Sequence, residues 1–171
     1  MFSHRAHIAN AYVSLGSNLG NRAGNLLLAV RGMMDASLAV VRLSGIYETE
    51  PVETFDQPLF LNMVAELRGD TLPSPEQVMA RLLRIEYALG RTRAVPLGPR
   101  TIDLDLLLYK DEERATQFLT LPHPRLHQRR FVLEPFAELC PGLVHPTLGR
   151  ALADLLKETE DESAIKRWLP R

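Results

Sequence analysis

Apolar and polar residues change period several times along these 171 residues, and each change predicts an element. Residues 10–15 have strand character and run into the turn Gly16-Ser17-Asn18-Leu19-Gly20-Asn21. Beyond it Ala23, Leu26, Leu27, Val30, Met33 and Met34 recur at intervals of three and four, the spacing of one helix face. Residues 40–49 and 60–67 alternate and carry β-branched or aromatic side chains, so both read as strands, with a proline-bearing loop between them. Ser74-Pro75-Glu76-Gln77 predicts a helix start: a hydroxyl cap, proline at the first helical position, then acidic and amide groups. Val78, Leu82, Leu83, Ile85, Glu86 and Leu89 follow on that helix, and Gly90 stops it. Residues 103–109 then form an apolar run that reads as a buried strand but opens with two carboxylates, Asp103 and Asp105.

The order β-α-β-β-α-β is the split βαβ arrangement of ferredoxin-like domains, an α+β class with an antiparallel sheet and helices on one face. Residues 112–120 are expected to add an edge strand, and 133–139 and 149–157 two further helices. The acidic stretch 158–163 is expected to be solvated or frayed. No repeat or linker divides the chain, so one domain is expected over 1–171, with a core at about 10–157 and a tail at 158–171.

Composition narrows the function classes. Hydrophobic residues at 46% and charged residues at 24% suit a soluble globular protein. A net charge of −1 argues against bulk electrostatic attraction to nucleic acid or to a membrane surface. Cys140 is the single cysteine, which excludes an intramolecular disulfide and fits a reducing compartment. It reads as a small core residue rather than a nucleophile. No stretch approaches the roughly 20 apolar residues of a membrane span, and residues 1–7 lack a secretory apolar region, so a cytoplasmic location is expected.

The chemistry concentrates near the two aspartates. On a strand Asp103 and Asp105 leave the same face, with Cα atoms about 7 Å apart. Two like charges that close, beside an apolar run, cost free energy unless a cation or proton sits between them. Magnesium takes hard oxygen ligands and keeps phosphates and waters in its shell, so the pair suggests a metal–phosphate site. The alternative is two solvated carboxylates. Upstream, Arg91, Arg93 and Arg100 fall in a loop with two glycines and two prolines. Arginine matches phosphate oxygens bidentately; the alternative is that these arginines merely neutralise the aspartates. The 16–21 turn lacks the spacing of a phosphate-binding loop and reads better as a tight turn capped by Ser17 or Asn18. Phe60 and Asn62 share a strand face, a ring beside an amide that suits a flat heterocycle, or else simply a core ring near a turn. Residues 121–131 hold His123 between two prolines and the basic Arg125, Arg129 and Arg130, open to phosphate or to water.

Taken together these motifs resemble the 6-hydroxymethyl-7,8-dihydropterin pyrophosphokinase family of folate biosynthesis. The resemblance runs from about Ala11 to Pro146 and rests on Gly16-Ser17-Asn18-Leu19, Tyr47-Glu48-Thr49-Glu50-Pro51, Asp56-Gln57-Pro58, Phe60-Leu61-Asn62, Glu86, Gly90-Arg91, Gly98-Pro99-Arg100-Thr101-Ile102-Asp103-Leu104-Asp105, Pro122-His123 and Arg129-Arg130-Phe131. It implies an α/β/α ferredoxin-like core and transfer of pyrophosphate from ATP to the pterin's hydroxymethyl oxygen, releasing AMP. It implies Asp103 and Asp105 as ligands of two magnesium ions. It implies Arg91, Arg93, Arg100, Ile102, Thr120, His123 and Arg129 at ATP, with Arg91 and Arg100 acting in catalysis beside the aspartates. The pterin would lie between Phe60 and Phe131, its edge read by Asn62 and by backbone near Thr49, Pro51 and Val52. Leu97 stands where the family often has tryptophan, Phe60 where it often has tyrosine, and Pro124 replaces an aromatic. The partners implied are these two small molecules, without nucleic acid or membrane, and a monomer is expected. Two rivals remain at this point: a ferredoxin-like module that binds nucleotide or RNA without catalysis, and a different phosphotransferase using the same carboxylates. Aromatics at only 6% argue against the RNA-binding sheet.

Overall fold

The computed structural model describes residues 9–170 except 53, 55 and 93–95. Alternation along β1 (Ala9–Ser17) divides the core in two. Ala11, Val13 and Leu15 point to one side, against α1 (Arg22–Asp35) and α2 (Pro75–Ala88). Tyr12 points to the other, with Val64 and Leu107, against α3 (Arg130–Leu139) and α4 (Leu152–Glu158). The sheet is therefore covered on both faces, an α/β/α sandwich in which α1 and α2 belong to the βαββαβ unit and α3 and α4 close the second face.

Every strand pair is antiparallel. The central path runs β5 (Asp103–Tyr109), β1, β4 (Phe60–Gly69), β3 (Tyr47–Thr49), β8 (Ile165–Arg167), and β2 (Val40–Leu43) also pairs with β4. The strand expected over 40–49 is thus two short strands on one partner. Leu43 faces Ala65 and Tyr47 faces Asn62, so four steps on one chain oppose three on the other and one residue is extra. Ser44 bridges the break: its N–H donates to Val64 O at 2.9 Å, and its Oγ accepts from Val64 N–H at 2.8 Å.

Four expectations are corrected. Residues 112–120 do not extend the main sheet; among the described residues β6 (Arg114–Ala115) and β7 (Thr120–Leu121) pair only with each other. The stretch 158–163 is not wholly solvated, because Asp161 Oδ2 accepts from Arg130 N–H at 2.8 Å, and beyond it β8 pairs with β3 along Tyr47–Thr49. The α2 start is as the sequence predicts, and closes into a capping box: Ser74 Oγ accepts from Gln77 N–H at 3.3 Å, and Gln77 Oε1 accepts from Ser74 N–H at 3.2 Å. The α1 cap is Asn21, which accepts from Gly24 N–H, and not Ser17 or Asn18. Cys140 is half-buried rather than a core residue; its Sγ accepts from Arg42 Nη2 at 3.0 Å. No helix among the described residues is long and apolar enough to cross a membrane.

Leu82 is fully buried between α2 and the sheet, whereas Leu27 on α1 is 59% exposed. Leu82→Ala is expected to lower unfolding free energy by about 2–5 kcal/mol. Leu27→Ala should change it by no more than about 0.5 kcal/mol. Urea unfolding of the two variants checks the assignment of the core face.

Candidate active site

The site is built on the α3–α4 face of the sheet at the head of β5. Gly16 of β1 pairs with Asp103 on one side and Asn62 on the other, so three positions form a row across the sheet. A Cβ at Gly16 would come within 2.9 Å of Asn62 Oδ1, so glycine keeps this floor open. Asp105 lies one row behind, opposite Ser14. The two aspartates are on one face, as the period requires.

Arg91 arrives through helix termination. Gly90 has φ +80°, and Arg91 N–H donates to Glu86 O at 3.1 Å while Gly90 N–H donates to Tyr87 O at 3.0 Å. This is a Schellman stop, and it needs the left-handed residue that glycine tolerates. The Arg91 side chain then turns back, donating at 2.5 Å to both Glu86 Oε1 and Asp103 Oδ1. Glu86 Oε1 also accepts from Leu104 N–H at 2.8 Å, tying α2 to β5. Arg100 donates to Asp103 Oδ2 at 2.9 Å, and its guanidinium lies 5.4 Å from the Phe60 ring centroid. Asp103 is thus held by two arginines, the neutralising role open in the sequence.

Asp105 is different. Among the described residues no hydrogen bond reaches its carboxylate. Burial, then the charge of Asp103, push its pKa up to about 7, opposed by Arg129 and more weakly by Arg91. Two hard-oxygen ligands on one face, one of them short of donors and raised by its neighbour, fit a cation between them. No group of three acidic, histidine or cysteine ligands exists among the described residues. A metal here would therefore take the rest of its shell from phosphate and water.

Beside the aspartates a pocket of about 590 Å³, part of it open to solvent, is lined by Thr49, Pro51, Val52, Phe60, Asn62 and Phe131, with Asp103, Arg100 and Arg129 at its polar side. Every residue expected at the pterin is therefore brought together. Asn62 Nδ2 donates to Thr49 Oγ1 at 2.7 Å, which fixes the buried amide. Arg129 stands 5.6 Å from the Phe131 ring centroid. Leu97 also lines the pocket, at φ +57°.

The expected ATP residues are less uniform. Arg93 lies outside the described residues. Ile102 is fully buried in the α1–α2 core, so its side chain is committed away from the site. Thr120 is exposed on β7 and paired with Ala115, and is not among the pocket's lining residues. His123 is anchored by its N–H to Leu107 O at 2.9 Å, and its Nδ1 accepts from Arg125 N–H at 3.2 Å. Burial, then Arg129, lower its pKa to about 4. At neutral pH the ring is uncharged with its proton on Nε2, a donor suited to a phosphate or nucleotide acceptor.

Sequence reasoning missed the residues that join the loops. Asn18, with 2% of its surface exposed, donates from Nδ2 to Gln57 Oε1 at 3.2 Å and to Pro58 O at 3.1 Å. Its Oδ1 accepts from Arg100 N–H at 2.8 Å, and its N–H donates to Arg100 O at 3.1 Å. Gln57 Nε2 reaches Leu97 O at 2.6 Å. One asparagine thus fixes three loops, and no local pattern signals partners so far apart in the chain.

The chain is similar to known proteins over most of its length. The family model described as 7,8-dihydro-6-hydroxymethylpterin-pyrophosphokinase matches residues 12–141. A 2-amino-4-hydroxy-6-hydroxymethyldihydropteridine pyrophosphokinase of Bacillus subtilis is 47% identical over 131 residues, covering 76% of this chain and 77% of the relative. One of the same name from Aquifex aeolicus is 35% identical over 159 residues, covering 93% and 95%. The "Folic acid synthesis protein fol1" of Pneumocystis carinii is 40% identical over 159 residues, 93% of this chain, but the chain spans only 21% of it. Among solved structures, an HPPK-DHPS in complex with substrates superposes with TM-score 0.68 at 14% identity, covering 88% of this chain and 43% of that one. That likeness bears on the fold.

The His123 environment makes a measurable statement. Its folded pKa of about 4 lies below the ordinary 6.5, so between these values the unfolded chain binds the extra proton. The His123 contribution is complete above about pH 6.5 and is lost as pH falls toward 4. The ring resonances of His123 should titrate near pH 4 by NMR. His123→Gln should flatten the fall in urea-unfolding free energy between pH 6.5 and 4 relative to the parent; an unchanged slope would contradict the assignment.

Proposed function

The chain belongs to the 7,8-dihydro-6-hydroxymethylpterin-pyrophosphokinase family, and on that premise we propose that it carries pyrophosphate from ATP to 6-hydroxymethyl-7,8-dihydropterin. The pterin's hydroxymethyl oxygen attacks the β-phosphorus and loses its proton to solvent, the bond from that phosphorus to the oxygen bridging the α-phosphorus breaks, and AMP leaves. The observation that carries the reading is the union, on one sheet face, of a carboxylate pair, two arginines and a pocket lined by Phe60, Asn62 and Phe131.

Each part has a task. Phe60 and Phe131 would clasp the ring, while Asn62, held by Thr49, would read its edge together with backbone at Thr49, Pro51 and Val52. Arg91 and Arg100 would exchange Asp103 for triphosphate oxygens. Arg129 and the neutral His123 would meet the rest of the nucleotide, with Arg93 added from the same loop as Arg91. Asp103 and Asp105 would hold magnesium, which when bound neutralises charge on the triphosphate. No side chain is needed as a strong base, because phosphoryl transfer is served chiefly by alignment and charge neutralisation. The rival binding module loses ground on the same features, and product analysis separates the rival phosphotransferase. A single-strand-binding sheet would present aromatics and cations where this one presents Asp103 and Asp105.

Mass analysis of products tests the reading: AMP is expected from ATP and magnesium only when the pterin alcohol is present, and ADP would contradict it. Asp105→Ala should abolish measurable turnover, and a near-normal rate would count against the metal assignment. Arg100→Ala should lower kcat by about 10²–10³-fold, the scale for losing one charge-stabilising donor, with a smaller change in pterin KM.

A further inference from the structure

Residues 159–168 lie beyond the segment that the family match covers, yet they touch both walls of the pocket. On one wall β8 pairs Ile165 with Thr49 and Lys166 with Glu48. Lys166 Nζ adds an ion pair to Glu48 at 3.2 Å, and Trp168 N–H donates to Ile46 O at 2.8 Å. On the other wall, Asp161 Oδ2 accepts from Arg130 N–H at 2.8 Å. Arg130 is the first residue of α3, and the cap residue Arg129 supplies no side-chain acceptor. Asp161 therefore serves as the missing cap from a distant part of the chain. It is held ready for this: its Oδ1 accepts from Ser163 N–H at 3.0 Å and from Ser163 Oγ at 2.5 Å. The capped amide lies between Arg129 and Phe131, the two residues that α3 brings to the pocket.

We propose that residues 161–168 form a strap that sets the width of the pterin slot, with Asp161 as a positioning residue that fixes Arg129 and Phe131 against the β3 edge carrying Thr49. The inference rests on the pocket being the pterin site. Without the cap, the first turn of α3 loses an acceptor and frays, and that turn is the wall. β8 keeps the opposite wall attached to the same short segment, so one strap spans the slot.

Four full-length proteins test this: the parent, Asp161→Ala, Asp161→Asn and the exposed control Glu160→Ala. Asp161→Ala should lose hydrogen-exchange protection at the Arg130 amide. It should also raise the pterin Kd and KM by roughly five- to tenfold, the scale of one lost cap, with kcat changed less than about twofold. Asp161→Asn keeps an oxygen for that amide and should recover both protection and affinity; Glu160→Ala should match the parent. A folded Asp161→Ala protein with parental Kd and KM overturns the proposal, as does an asparagine variant that recovers neither readout. Should Asp161→Ala not fold, Arg130→Pro removes the same bond from the donor side, where proline suits a first helical residue, and the same rise in pterin Kd and KM is required of it. A parent protein that binds no pterin counts against the proposed function instead, while Arg130 amide protection still reports the strap.

Discussion

The arrangement depends on one constraint: two carboxylates that the strand period forces onto the same side of β5, at the head of an otherwise apolar run. Removing such charges from water is costly unless opposite charge or a proton compensates. The fold compensates them unequally. Asp103 has two arginine partners, while Asp105 takes no direct donor among the described residues and titrates near neutrality. On the proposed reading, that imbalance is what would suit the pair to a cation. A fully paired couple would have little reason to take a cation, and an unpaired couple would destabilise the sheet edge it opens.

The arginines reach Asp103 by separate structural routes, and each route is a local feature with a distant purpose. Arg91 is aimed by the glycine stop of α2 and steadied by Glu86, itself nearly buried and bonded to the β5 backbone. Arg100 is aimed by Asn18, which grips its backbone from the β1–α1 turn. Because Asn18 also holds Gln57 and Pro58, the loop bearing Arg100 and the loop preceding the pocket's Phe60 share one anchor. Cation and ring are therefore positioned together, as the contact between Arg100 and Phe60 shows.

Legibility in the sequence followed the range of the interactions involved. The βαββαβ order, the α2 capping box and the shared face of Asp103 and Asp105 are set by periods and caps spanning a few residues, and all are present. The break between β2 and β3 was hidden because Ser44 replaces part of the ladder with its own hydroxyl, which alternation alone does not reveal. β8 was hidden because the residues before it are acidic and the partner it has among the described residues, β3, is only three residues long. Ile102 illustrates the limit of carrying a role over by resemblance: the motif places the residue, but strand alternation sends its side chain into the opposite core. Asn18 was misread for the converse reason. Its chemistry suits a local cap, and tertiary contacts claimed it first.

The resting pairing of Arg91 and Arg100 with Asp103 also shapes how strongly a phosphate ligand can be held. Both arginines and the aspartate are largely shielded from solvent, so breaking their contacts is not free. A phosphate that recruits these guanidiniums gains bidentate hydrogen bonds but releases a carboxylate beside another carboxylate. The released charge then needs a cation of its own. On the proposed reading, anion and cation binding would be linked through Asp103: each ligand would make the other's place less costly to fill, and linkage requires the effect to be mutual. A nucleotide without a divalent ion would meet the open repulsion of Asp103 and Asp105, while an ion without a nucleotide would compete with arginines already in place. On the proposed reading the two would arrive as one species.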